Sequence, residues 1–135
     1  MRVVIDTNVM VSGVLNPHGS PGRILNALLA GTITVLHDDR ILSEYLEVLL
    51  RPAFGFRRSD VDVLLDFVET EGEHVSAESL ALVLPDPDDL PFLEVATTGA
   101  ADALITGNIK HFKARRGQHG VLVTTPADFL RRYRK

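Results

Sequence analysis

The sequence predicts an α/β fold: helices on both faces of a central, mainly parallel sheet of about four to five strands, α/β/α in three layers. Two observations carry this. Short apolar β-branched runs alternate with helical periodicity along the whole chain. The first such run, Val3-Val4-Ile5, is apolar on successive residues, as in a strand buried on both faces, and stops at once on Asp6. A third observation is compositional. A chain of 135 residues with 45% hydrophobic content suits one domain with a real core, spanning 1–135, and is short for two.

Taken in order, Asp6-Thr7-Asn8 carries turn and cap residues, and residues 9–15 form a short helix broken by Asn16-Pro17-His18-Gly19. Ser20-Pro21 reads as a cap followed by proline at the first helical position, opening a helix that Gly31 stops. Residues 32–36 form the second strand. Asp38 or Asp39 caps the next helix, whose stripe is Ile41, Leu42, Tyr45, Leu46, Leu49 and Leu50. A further helix starts at Ser59-Asp60. Val75 and residues 80–84 read as short extended pieces, and residues 85–89 as a rigid acidic loop before a helix from Asp89 to about Thr98. Residues 103–106 form a strand, 109–113 a helical turn, 121–123 the last strand, and Asp128 to about Tyr133 the closing helix.

No apolar run reaches eighteen residues, so no membrane span is expected, and the first residues lack a signal peptide's apolar stretch; a cytoplasmic protein is the simplest reading. With no cysteine, any metal site must use oxygen or imidazole. The net charge of −4 is unevenly spread: residues 1–109 hold 6 Lys/Arg against 17 Asp/Glu, while residues 110–135 hold 8 Lys/Arg against Asp128 alone. An acidic body can hold a divalent cation, and a basic end can meet a phosphate backbone; a solvated basic helix face is the plainer alternative.

Four polar groups occupy comparable places. Asp6 follows the first strand, Asn108 lies two residues past Thr106, Asp89 (behind Asp86 and Asp88) opens a helix, and Glu44 sits beside an apolar stripe. Ligands of open α/β sheets bind at the carboxyl edge, where two of these lie. An unpaired Glu beside a core is costly, so Glu44 calls for a cation or an arginine. Three carboxylates and an amide make an all-oxygen site of the kind Mg²⁺ and Mn²⁺ prefer. Such a metal acidifies water and stabilises the leaving oxygen in phosphodiester hydrolysis. Scattered surface acids, with Asp6 as a helix cap, are the alternative.

Val4-Ile5-Asp6-Thr7-Asn8-Val9, then Ser43-Glu44 before a leucine-rich helix, resemble the PIN-domain nucleases. Asp86-Pro87-Asp88-Asp89-Leu90-Pro91-Phe92-Leu93-Glu94-Val95-Ala96 and Ala101-Asp102-Ala103-Leu104-Ile105-Thr106-Gly107-Asn108 fit the same family, in order, over nearly the whole chain. The likeness is greatest to VapC-type toxins of bacterial toxin–antitoxin pairs. The resemblance implies a PIN-like fold and a Mg²⁺- or Mn²⁺-dependent ribonuclease. Asp6, Glu44 and Asp89 would bind metal, Asn108 would assist, and Thr7, Asn8, Asp88 and Thr106 would support the ligands. RNA would be the substrate and an antitoxin the partner, with a homodimer supported by the apolar helices around Leu46 to Leu50 and Leu64 to Val68.

Asn108 departs from the family, which carries a fourth acid there. An amide brings no charge, so the resemblance implies a weaker or one-metal enzyme, or a catalytically silent PIN-like module that binds RNA or protein. Asp102 is no substitute: four strand steps of about 3.3 Å put it some 13 Å from Thr106. A phosphoacceptor receiver-type domain also clusters acids at a sheet edge, but no middle strand here clearly ends on an acceptor Asp.

Arg57, Arg58, Lys110, Lys113, Arg115 and Arg116 are candidate phosphate contacts, which Arg131, Arg132, Arg134 and Lys135 would extend; their binding would depend on salt. No aromatic residue interleaves residues 110–116, so base stacking is not expected. His37 is expected to be a solvated residue beside a helix cap, and His18, His74, His111 and His119 to be isolated and exposed.

Overall fold

A computed structural model describes residues 1–113 and 119–133. Five strands, β1 (Arg2–Ile5), β2 (Thr34–His37), β3 (Glu73–His74), β4 (Ala103–Ile105) and β5 (Val123–Thr124), form one sheet in the order β3-β2-β1-β4-β5. Every pairing is parallel. The sequence predicts a mainly parallel sheet of four to five strands; among the described residues it has five and all their pairings are parallel. β1 is central because its apolar run has no solvent face: Val3, Val4 and Ile5 are each 0% exposed.

Among the described residues six helices cover the sheet: α1 (Thr7–Leu15), α2 (Ser20–Leu29), α3 (Asp39–Leu49), α4 (Arg58–Glu71), α5 (Leu90–Thr98) and α6 (Pro126–Arg132). α5 packs on β1, β2 and β4, and α4 on β2 and α3; α1 joins α2 and α3. Tyr45, Phe92, Leu93, Ile24, Leu28 and Phe112 fill the space between these layers. Two 3₁₀ turns, Pro87–Asp89 and Ile109–Phe112, frame the carboxyl edge of the sheet.

Several local expectations shift. The residue capping α2 is Gly19, with Ser20 and Pro21 already inside the first turn. Asp38 caps α3, its carboxylate accepting from Ile41 N at 3.0 Å. The third strand is Glu73–His74, just before the extended Val75, whose N–H donates to His37 O at 2.8 Å; residues 80–84 add no strand to the sheet, although Leu84 is buried in the core. The last helix begins at Pro126, with Thr125 capping it by accepting from Asp128 N. Gly31 ends α2 with a φ of 78°, a left-handed turn that glycine adopts without strain.

His37 is not solvated. It is 1% exposed, and both ring nitrogens are buried without a hydrogen-bond partner. As the last residue of β2 it is paired in register with His74, and α4 closes over it through Gly72. Burial first, and then the neighbouring His74, push its pKa below the ordinary value. A histidine buried neutral favours the fold at high pH, and that advantage fades as pH falls through the unfolded-state value near 6.5. His37→Leu, which has nothing to protonate, is therefore expected to flatten this loss. The urea midpoint of the variant minus that of the wild type should increase from pH 7.5 to pH 5; a constant difference would refute the account.

Candidate metal centre

The strand order reverses between β1 and β4, and ligands of open parallel sheets bind at such a switch point. Ile5 and Ile105 are partners in register, so the residues that follow them, Asp6 and Thr106, leave the sheet side by side. Asp6 N donates to Ile105 O at 2.9 Å. The Thr106 hydroxyl donates to Asp6 Oδ2 at 2.8 Å and accepts from Asn108 N at 3.1 Å. Asp6 is 6% exposed and Thr106 0%. Asp6 also precedes α1 at the N-cap position without a side-chain cap bond, so capping is not what its carboxylate does.

Glu44 is brought in by α3. Its neighbour Tyr45 is fully buried and its hydroxyl donates to Ile5 O, which fixes α3 against the end of β1. One residue round the helix, Glu44 accepts from the Thr7 hydroxyl. An arginine or a cation is the partner the sequence suggests; among the described residues the hydrogen-bond partner is Thr7. Asp89 ends the Pro87–Asp89 turn before α5, its N–H donating to Asp86 O at 3.1 Å. Asp88 is exposed, with its N–H on Asp86 Oδ1 at 2.9 Å.

The carboxylates act on one another. Burial is the main force raising the pKa of Asp6, with Asp86 adding to it and Thr106 opposing it. Burial likewise raises Glu44, and Asp6 and Asp88 add to this. Asp89 is pushed to about 6, by burial first and then by Asp6, Asp86 and Glu44. Like charges held together out of water resist ionisation unless a cation joins them. Asp89 Oδ2 is moreover buried with no hydrogen-bond partner. These features fit a hard divalent cation. Among the described residues no three Asp, Glu or His side chains stand together at direct ligand spacing. An ion held here would keep several waters, as Mg²⁺ habitually does.

The other sequence candidates are placed less uniformly. Asn108 reaches the edge by its backbone, but its side chain turns to His111, with Nδ2 to Nε2 at 3.0 Å. Asn8 is exposed and lines a groove with Ser12, Gly107 and Thr125. Asp102 accepts from Arg2 N at 2.8 Å, at the opposite edge of the sheet, as its place in the strand implies. Arg57 lies by Leu49 and Val61 at the carboxyl end of α3, and Arg58 pairs with Asp62 at 3.2 Å. Lys110 and Lys113 are exposed, on and just after the Ile109–Phe112 turn. Arg115, Arg116, Arg134 and Lys135 lie outside the described residues.

Two groups escape the sequence reading. His111 is not isolated: its Nδ1 is 3.5 Å from Asp89 Oδ2. The signal was its place three residues after Asn108, one turn of a 3₁₀ helix. Glu94 is 4% exposed and accepts from Arg40 at 2.7 Å and from Leu80 N at 2.8 Å. Arg40 also holds Asp38 at 2.8 Å, so the acid lies inside a structural pair tying α3, α5 and the 75–86 loop together. His119 is half-buried as well, against Phe112 O at 2.9 Å.

A PIN-domain family model matches residues 2–110. The chain belongs to the PIN-domain family. This PIN domain is 30% identical to an uncharacterized protein of Methanocaldococcus jannaschii over 147 aligned positions, which cover 100% of this chain and 93% of the relative. Its fold is similar to a chain in the crystal structure of VapBC2 from Rickettsia felis bound to a DNA fragment from their promoter. The TM-score is 0.57 at 19% identity, covering 93% of this PIN domain and 98% of that chain. Among the described residues no helix is long and apolar enough to cross a membrane.

Proposed function

We propose that this PIN domain is a Mg²⁺- or Mn²⁺-dependent endoribonuclease and the toxin of a toxin–antitoxin pair. The observation that carries the reading is the set of mutually repelling acids Asp6, Glu44 and Asp89 at the switch point of a PIN fold, one with a buried oxygen lacking a partner. Membership of a nuclease family supports it, and the fold likeness to a VapBC2 chain agrees with the VapC-type motifs.

Asp6, Glu44 and Asp89 would hold the cation. Once bound, it supplies positive charge to the phosphate oxygens and lowers the pKa of water in the site. The Thr106 hydroxyl fixes one oxygen of Asp6, and the Thr7 hydroxyl fixes Glu44, so both present their remaining lone pairs to the edge of the sheet. Lys110 and Lys113 offer their charge to the RNA backbone, which makes affinity fall with added salt. A small antitoxin and a second copy of this chain are the expected protein partners, and the cytoplasm the expected compartment.

Incubation of the protein with RNA and Mn²⁺ tests this. Cleavage should appear, stop with EDTA, and rise about 3- to 10-fold in Asn108→Asp as the family's fourth negative charge returns. Asn108 favours a second reading, a silent module that binds RNA or protein. RNA binding with no cleavage in either protein would establish that one instead.

A further inference from the structure

Where the family carries its fourth acid, this chain has an amide joined to an imidazole. We propose that His111 is an additional metal ligand, held by Asn108, and that the pair makes the site select Mn²⁺ over Mg²⁺. The inference rests on the metal reading above and deepens it.

The geometry is that of two donors around one ion. His111 Nδ1 and Asp89 Oδ2 are 3.5 Å apart, and Asp89 Oδ2 is buried with no hydrogen-bond partner. Two donors each ~2.1 Å from a common ion stand ~3.0 Å apart at a right angle and ~3.5 Å apart at a tetrahedral one. The separation is long for a hydrogen bond, and the two donors need close by only ~0.5 Å to sit at right angles on one octahedral ion.

The other ring nitrogen is already engaged. Nε2 lies 3.0 Å from the Asn108 side-chain amide. Nitrogen and oxygen of that amide exchange by a half turn about the terminal bond. With the oxygen facing His111, Asn108 accepts from Nε2–H and leaves the Nδ1 lone pair turned to Asp89. Ligating histidines are ordinarily anchored in this way, the far N–H given to a carbonyl or carboxylate that fixes the tautomer. Asn108 is itself held, its backbone N–H on the Thr106 hydroxyl that also holds Asp6. Asp6, Thr106, Asn108, His111 and Asp89 thus form one connected arc across the sheet edge.

The selectivity follows from donor chemistry. Four carboxylates present only hard, charged oxygen. A neutral imidazole beside Asp89 lowers the charge and adds a nitrogen, which transition metals accept far more readily than Mg²⁺ does, while Asp6 and Glu44 meet the ion through water.

Titration of the metal-free protein with Mn²⁺ and with Mg²⁺, by calorimetry, measures this. Mn²⁺ should bind at least ~10-fold tighter, and His111→Ala should lose ~10-fold in Mn²⁺ affinity while Mg²⁺ changes less than ~2-fold. Electron spin-echo spectra of bound Mn²⁺ should show ¹⁴N modulation from an imidazole that disappears in His111→Ala. His111 is half-exposed, so the variant should keep the wild-type circular dichroism. His111→Asp should move the preference towards Mg²⁺. Mn²⁺ bound without nitrogen modulation, or equal losses for both metals, overturns the role of His111 and leaves the carboxylate site standing. No binding of either ion to the wild type overturns both.

Discussion

Asp6→Asn is expected to abolish RNA cleavage, by roughly 10²–10³-fold or more, while leaving the fold intact. The amide oxygen of Asn can still accept the Thr106 hydroxyl, so the junction of β1 and β4 keeps its hydrogen bond. What is lost is charge at the most buried of the three acids. The same change removes a carboxylate whose ionised form is disfavoured by burial, so the metal-free variant should melt above the wild type at neutral pH. Loss of cleavage together with a raised melting temperature separates a functional acid from a structural one. Cleavage within a few-fold of wild type would remove Asp6 from the proposed machinery.

The second large effect is a stability profile that depends on both pH and metal. Asp89 has its pKa raised from an ordinary 3.8 to about 6, so between those values the folded state binds more protons than the unfolded one. Stability from this group is therefore greatest at the acid end and falls as pH rises through that window, by on the order of 2–3 kcal/mol in the metal-free protein. Asp6 and Glu44 are raised too and push in the same direction. His37 works oppositely, since its lowered pKa favours the fold at higher pH. Asp89→Asn should remove most of the carboxylate part. Mn²⁺ should restore stability at pH 7.5 and do less at pH 4.5, where Asp89 is protonated. Chemical unfolding at the two pH values, with Mn²⁺ and with EDTA, measures all four corners. An equal effect of Mn²⁺ at both pH values would exclude these carboxylates as its ligands.

Much of this was legible in the chain itself. Val3-Val4-Ile5 reads as a strand buried on both faces, and strands alternating with helices read as a parallel sheet. Asp6 had to emerge at the carboxyl edge because the strand ends there, and Asp102 had to lie at the other. The expectation that Glu44 and Asp89 join Asp6 comes from the resemblance and not from their spacing along the chain. Local periodicity also found the stripe of α3, including Tyr45, whose hydroxyl then positions Glu44.

Tertiary structure decided the rest, because burial and partnership depend on what folds over a residue from far along the chain. His37 and Glu94 carry polar side chains in sequence, yet α4 buries the first, while Arg40 and Leu80 N satisfy the second. Asn108 stands in the motif by its backbone, but its amide turns to His111, which only the Ile109–Phe112 turn brings against Asp89. Charge and pattern along a chain fix which groups are available; the distance between them, and so the cation they can share, is set by which surfaces the core draws together.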